Sequence, residues 1–530
     1  MSKAPLASAG WKYPLVLVAA IVLVYVQSLT FDFVNYDDPD LVSQNAEFLS
    51  NPANVATAFT THAFTSHREE SAYYRPLLLV SLIADYQIWQ LNPLGYHLTN
   101  LLLHALAAYL LYRLFLLLGL EELAAALAAL LFALHPIQTE SVAWVAGRND
   151  ALVGLFVILM MYAYAMRDAQ PERAERWGFI SAGAFVLALL TKESAAFFLI
   201  LPAMYELVVR RRSPRALFDG GRGLIFGLFG AGLAGYLAVR YALFGEIIGA
   251  ERLYGVIPPE TRLTMIPGML AEHLALMIAP YRLAVVHPLQ DVVWFTAPWT
   301  VVSYVVVALV AIALWWTWKR DRIACFGLAW LVVGLIPVLN IFPLAVPVLE
   351  HRLYTAAAGL SLAAVVLVRR WLGAPNARTV LAVGDGIALQ RLFDPGFVQL
   401  VQLDTAKVKA AFVRDPLVKA LEVEVDTYKG TVQLSGFVNS PAEKAKAEAA
   451  KPISFAPVPS PAAMSVSSGD SISAWMPTAA IEAAPVSGAP QPLERRGELS
   501  AMTSTRPRGR CRLVASAVFR LFQASRRLLA

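Results

Sequence analysis

The sequence predicts an α-helical polytopic membrane protein of about 10–12 spans, followed by a small α/β unit and a disordered tail. Three observations predict it. The chain is 58% hydrophobic and 15% charged, too apolar and too charge-poor for an ordinary soluble domain. Apolar runs near the ~20 residues that a bilayer core requires recur from residue 14 as far as Arg369-Arg370. Beyond Arg370 those runs stop, and the composition turns mixed and then rich in Pro, Ala and Ser.

A length of 530 residues implies more than one domain. The net charge of +6 is assigned to Lys and Arg anchoring cytoplasmic loops, not to nucleic-acid binding. Cys325 lies in an apolar run and Cys511 in a basic tail, so two cysteines make no disulfide framework.

The first span covers 14–30. Lys3 and Lys12 precede it and place the N-terminus in the cytoplasm. No clean small-x-small cleavage site precedes Phe31, so the run reads as an uncleaved span and not as a signal peptide. An outer loop, 31–96, follows, with Asn51-Pro52 and Asn92-Pro93 as turn signals. Within it, Arg75–Gln90 is apolar but interrupted by Asp85 and Gln87. It reads as an interfacial helix, the alternative being a short span that would invert everything after it.

His97–Gly119 returns inward as the second span, and Glu121–Leu134 goes outward as the third. The loop His135–Asp150 is then external. The fourth span, 151–166, ends at Arg167, Arg173 and Arg176. Spans five and six flank Lys192-Glu193 at an outer turn and close on Arg210, Arg211, Arg212 and Arg215. The seventh span covers about 223–243. Leu263–Val286 carries Glu272, His273 and Arg282, so it reads as re-entrant or interfacial. The eighth span, 299–318, ends in Lys319, Arg320 and Arg322. The ninth runs from 323 to about 343. The tenth follows the outer turn Glu350–Tyr354.

The resulting domains are 1–370, membrane-embedded; 371–396, a linker or weak last span; 397–451, the α/β unit; and 452–530, a disordered and basic tail. In the third of these, Thr405–Arg414 reads as a helix. Leu421–Thr427 and Thr431–Val438 read as a hairpin turning at Lys429-Gly430, and a second helix opens at Ser440. Arg506–Ala530 fits either a membrane-surface helix or a solvated tail.

Lys/Arg asymmetry alone puts the polar groups without an anchoring role on one face. Ionisable groups near hydrocarbon are costly unless they line a wet cavity, so a one-sided cluster marks a site. The adjacent pair Asp37-Asp38, held by Pro39, is its chemical centre. One carboxylate can face a substrate while the other holds a partner. A carboxylate beside apolar surface has a raised pKa and acts as a base near neutral pH. The plainer reading is an Asx-type turn capping the next helix. Arg75, Arg148, Lys192 and Arg352 suit a phosphate-bearing ligand, the plainer reading being interfacial snorkelling. His135 and His351 lack ligand-like spacing, so no metal site is assigned.

Several stretches together resemble one family. They are Phe33-Val34-Asn35-Tyr36-Asp37-Asp38-Pro39-Asp40, Tyr74-Arg75-Pro76-Leu77, Asn92 through Ala105, His135 through Asp150, Thr191-Lys192-Glu193-Ser194 and Glu350-His351-Arg352-Leu353-Tyr354. In this order they are similar to the transmembrane-and-tetratricopeptide O-mannosyltransferases and their bacterial relatives, of the GT-C superfamily. The resemblance covers about 10–370.

It implies an inverting hexosyltransferase of the bacterial inner membrane, with its site facing the periplasm. A sugar, mannose or another hexose, would pass from a polyprenyl-phosphate donor to a hydroxyl acceptor on a protein or glycan. Asp37 and Asp38 would activate the acceptor, with either as base. Arg75, His135, Glu140, Arg148, Lys192, Glu193, His351 and Arg352 would line the substrate and phosphate site, Arg352 being favoured for the phosphate. No cofactor is implied. Membrane lipid, the lipid-linked sugar and the acceptor are the expected partners.

Two features depart from the family. No 34-residue period is present, so the repeats are missing. Instead Val408–Phe412 and Val432–Val438 resemble a BON domain, cut short after Lys451 and left by the span count on the cytoplasmic side. A non-catalytic transporter or envelope scaffold of the same fold is the alternative function.

Overall fold

The computed structural model describes residues 10–34, 36–65, 73–219, 221–245, 259–280, 283–284, 297–341, 348–371 and three strands farther along. Helix α1, Lys12–Tyr25, continues as a tighter turn through Thr30. The chain then builds a small folded loop with short helices at Ala46–Ser50 and Asn54–Thr57. Leu41, Val42, Leu49 and Phe64 of this loop share an apolar cluster with Leu82, Tyr96, Trp144 and Val145. The loop is therefore seated on the helices through a small core shared with them.

Helix α2, Pro76–Trp89, has 14 residues and is shorter than a bilayer core requires. Gln87 Nε2 donates to Leu49 O at 2.8 Å, and Thr99 Oγ1 donates to Asp85 at 2.7 Å, clamping α2 between the loop and α3. Helix α3, Pro93–Leu117, opens on an Asn92 cap with Pro at its first position. It stops at Gly119, whose φ of +94° is the left-handed turn that glycine adopts without strain.

Helix α4, Glu122–Ala133, is followed by Pro136–Ala143 at a bend of 52°. Pro136 lacks the N–H a continuing helix would use, so the helix breaks just past the end of the third expected span, 121–134, which stays short. Helix α5, Arg148–Ala169, is the centre of the bundle, with 83% of its apolar window buried. It packs against α3 and against α6, Ala174–Thr191. Where the sixth span is expected, 193–209 is a series of a tight turn, a short α-helix around Pro202 and a π-helical end.

Helix α7, Gly221–Phe244, and α9, Ala297–Arg320, have 17% and 11% of their windows buried, which leaves apolar flanks for lipid. Between them α8, Pro259–Ile278, contains Pro267. Helix α10, Arg322–Leu335, is capped by Asp321 and ended by Pro337. It lies tightly against α11, Glu350–Trp371. A Cβ on Gly359 would sit 2.6 Å from the Gly327 carbonyl, so these backbones touch.

Seven helices among the described residues are long and apolar enough to cross a membrane, or eight if the bent α4 pair is one span. The third, sixth and ninth of the ten positions expected from the sequence are bent or short, with a proline in or just past each. The helical class stands.

The C-terminal hairpin forms where its alternation places it. Strand β1, Val423–Tyr428, pairs antiparallel with β2, Thr431–Phe437, with Val425 opposite Leu434. A third strand, β3, Ser471–Pro477, pairs with β2 inside the segment expected to be disordered. Its Ser-Ile-Ser-Ala-Trp-Met alternation is a strand signal that the surrounding Pro, Ala and Ser outweigh in composition. The linker at 372–396, the two expected helices near 405–414 and 440–451, and the basic tail lie outside the described residues.

Candidate functional site

Helix α5 joins two charged ends. Asp150 and Asp168 are eighteen residues apart on it, about 27 Å at 1.5 Å per residue. Asp168 meets Arg210 at 2.9 Å and Arg212 at 3.1 Å. The Arg-rich turns therefore gather at that end. The candidate site residues gather at the other.

Asp38 is fully buried, and both its oxygens are occupied. Oδ2 accepts from Val34 N at 2.8 Å and Oδ1 from Ala146 N at 2.9 Å. The carboxylate thus ties the first loop to the turn after Trp144. Burial pushes its pKa up to about 7, against the two backbone N–H groups that favour the charged form. Asp37 is half-buried beside it. The Trp144 ring bridges the loops, 5.8 Å from Tyr36 and 5.5 Å from His351.

His351 sits between two carboxylates. Its Nδ1 is 3.0 Å from Glu140 Oε1, and its Nε2 is 4.0 Å from Asp150 Oδ2. Its backbone N–H donates to Glu140 Oε2 at 2.8 Å. Asp150 in turn takes Lys192 Nζ on both oxygens, at 2.7 and 2.8 Å. Burial, and then the nearby Arg75 and Arg352, push the Lys192 amine down, against the pull of Asp150. Arg75 NH2 meets Glu193 Oε1 at 3.2 Å, and its guanidinium lies 4.3 Å over the Tyr73 ring. With its amide turned, Asn149 accepts from Arg75 NH1 at 2.8 Å. Burial disfavours the Glu193 anion, but Arg75, Arg240 and Lys192 outweigh it and hold the carboxyl down to about 2.

Two expected phosphate-site residues have other work. Arg148 is fully buried: it pairs with Asp85 and donates to Asn100 Oδ1 at 2.7 Å and Tyr96 O at 2.9 Å. It braces α2 and α3 to α5 and presents no free fork to a ligand. His135 is buried with Nε2 against Met277 O at 2.8 Å, while Nδ1 accepts from Ile137 N at 3.2 Å, capping the turn after the α4 bend. Arg75, Glu140, Lys192, Glu193, His351 and Arg352 remain together, with Asp37 and Asp38 on the adjoining loop. Among the described residues no group of three or more His, Cys, Asp or Glu side chains is placed to hold a metal ion.

Sequence reasoning missed Arg240. It is a single cation near the end of an apolar run, 1% exposed, and it acts on Glu193. Its only signal was a charge inside an expected span. Nothing local to Asp150 marks it in the sequence as the residue that holds Lys192.

Residues 10–213 match the family described as dolichyl-phosphate-mannose-protein mannosyltransferase. Residues 402–450 match the BON domain. Protein O-mannosyl-transferase TMTC2 of Mus musculus is 33% identical over 205 residues, 37% of this chain and 24% of that protein. Protein O-mannosyl-transferase TMTC3 of Homo sapiens is 29% identical over 198 residues, 36% of this chain and 21% of that protein. The match spans about a quarter of the length of these curated relatives. A solved structure, ArnT from Cupriavidus metallidurans bound to undecaprenyl phosphate, aligns with a TM-score of 0.39 and 16% identity over 78% of this chain and 68% of that one.

Proposed function

We propose that this chain is an inverting membrane glycosyltransferase. It moves mannose or another hexose from a polyprenyl-phosphate donor to a hydroxyl acceptor, at the bundle end that faces away from the Arg-rich turns. In a bacterial inner membrane that end faces the periplasm. One observation carries the reading: an acidic loop is docked through Asp38 onto the turn that leads, four residues on, to the Asp150–Lys192 pair.

Asp38 is the anchor and Asp37 the base. Asp38 has both oxygens committed to backbone N–H groups, so the half-buried Asp37 takes the acceptor proton. The acceptor oxygen attacks the anomeric carbon as the bond from that carbon to the phosphate oxygen breaks. Polyprenyl phosphate leaves with the bonding pair, and the sugar has oxocarbenium character between the two. Arg75, Lys192 and Arg352 stabilise the charge that grows on the phosphate. His351, between Glu140 and Asp150, positions the sugar between base and cations.

The test is to incubate membranes with radiolabelled polyprenyl-phosphate mannose and follow label into protein or glycan. Transfer by the wild type, lost in Asp37→Asn at equal expression, supports the reading. Label that crosses the membrane but reaches no macromolecule would instead identify a transporter.

A further inference from the structure

Helices α6 and α7 run parallel. A Cβ on Gly178 would meet Ile225 at 2.5 Å, and one on Gly232 would meet Val186 at 2.9 Å. Extending that register puts Arg240, eight residues past Gly232, level with Glu193, seven past Val186. Tyr236, one turn before Arg240, has its ring 5.9 Å from that of Tyr74, the neighbour of Arg75. An arginine buried within an apolar helix is costly to keep there unless it serves a charged partner.

The charges that act on Lys192 and Glu193 make a defined set. It contains Arg75, Lys192, Arg240 and Arg352 against Asp150 and Glu193. Glu140, which shares His351 with Asp150, is a third anion, so four cations against three anions leave this wall at +1. Without Arg240 it would be neutral. The phosphodiester donor of the proposed reaction carries one negative charge at the phosphate, whereas the monoester that departs carries up to two. A net positive wall therefore favours the charge present late in the reaction over that of the bound donor.

We propose that Arg240 is a positioning residue that offsets Glu193, loosening its hold on Arg75 so that Arg75 can engage phosphate, and so makes the site selective for a polyprenyl phosphate monoester. This rests on the glycosyltransferase reading. Arg240 need not touch the phosphate, because it acts through Glu193.

The experiment measures binding of a short-chain polyprenyl phosphate, and of the uncharged polyprenol, to the full chain in detergent micelles. Arg240→Gln is expected to weaken the monoester about tenfold and leave the polyprenol unchanged, while Arg240→Lys restores most of the loss. Glu193→Gln, which raises the wall by one charge, is expected to tighten the monoester severalfold. It keeps the test open should Arg240→Gln not fold. Equal weakening of both ligands by Arg240→Gln, or a Glu193→Gln variant that binds the monoester no tighter than wild type, overturns the assignment of Arg240. A wild type that binds monoester and polyprenol alike overturns the glycosyltransferase reading itself.

Discussion

Replacing Asp38 by Asn separates anchoring from chemistry. The Asp38 carboxylate accepts one backbone N–H on each oxygen, Val34 on one and Ala146 on the other. An Asn side chain offers one acceptor oxygen and one NH2, so it faces one of those N–H groups with a donor. One buried bond is lost and one buried N–H is left without a partner. The lost bond and the orphaned donor together cost about 2–3 kcal/mol. Asp37 is half-buried beside Asp38, and Asp37→Asn should change stability by no more than about 0.5 kcal/mol. The damage is local, because the outer loop is also seated through the small shared core around Leu41, Leu49 and Phe64. Limited proteolysis of 31–65 in detergent-solubilised protein reads that opening directly. Asp38→Asn should be cleaved roughly 30–150-fold faster than wild type, and Asp37→Asn at the wild-type rate while transferring no sugar. Equal protease resistance of the two variants would refute the division of roles.

Other consequences are testable in the same preparations. Asp38 has a folded pKa raised to about 7 from an ordinary 3.8, so the loop binds a proton more tightly than the open chain does. Its stability should be full below about pH 4 and lost as pH rises through about 7. Glu193, depressed to about 2, has the opposite sign and loses its contribution only as pH falls through that value, below the window a proteolysis series would cover. Arg148→Met leaves Asp85 buried without its cation, and a loss of about 3–5 kcal/mol is expected. Adding Asp85→Asn should recover part of it in a thermal melt. At the far end, Glu206 is 1% exposed and held by Tyr164, Arg212 and Arg222. Glu206→Gln should lower the melting midpoint without altering KM for the donor. Gly359→Val forces α10 and α11 apart, and a loss of at least about 1–3 kcal/mol in the same melt is the expected result.

The helices were legible because their signal is one-dimensional. Apolar length and Lys/Arg asymmetry identify α1, α3, α5, α7, α9 and α11 without reference to anything they touch. Prolines accompany the spans that came out bent or short: Pro136 follows the third, and Pro202 and Pro337 lie in the sixth and ninth. The roles of the site residues were less legible, because they depend on partners far apart in the chain. Arg148 and Lys192 look alike as isolated cations on one face. One is saturated by Asp85, Asn100 and Tyr96, and the other is paired with Asp150 beside His351 and Arg352. Asp85 and Arg148 are 63 residues apart, and nothing local to either names the other. Asp37 and Asp38 were indistinguishable for a related reason. Which carboxylate turns inward depends on where Ala146 presents its N–H.

Asp150 shows why the stretch from His135 to Asp150 carries so much of the candidate site. Ala146 receives the acidic loop, and Trp144 packs on both Tyr36 and His351. Asp150, one helical turn farther on, holds Lys192. A single bent segment after α4 therefore sets the spacing between the Asp37-Asp38 loop, which holds the proposed base, and Lys192, one of the proposed phosphate-binding cations. In the proposed direct displacement both act in the same step, so their separation matters to the rate. Such coupling predicts that Asp150→Asn, which frees Lys192 but leaves Asp37 in place, lowers kcat far more than it raises KM: the cation remains, and its distance from the base is no longer fixed.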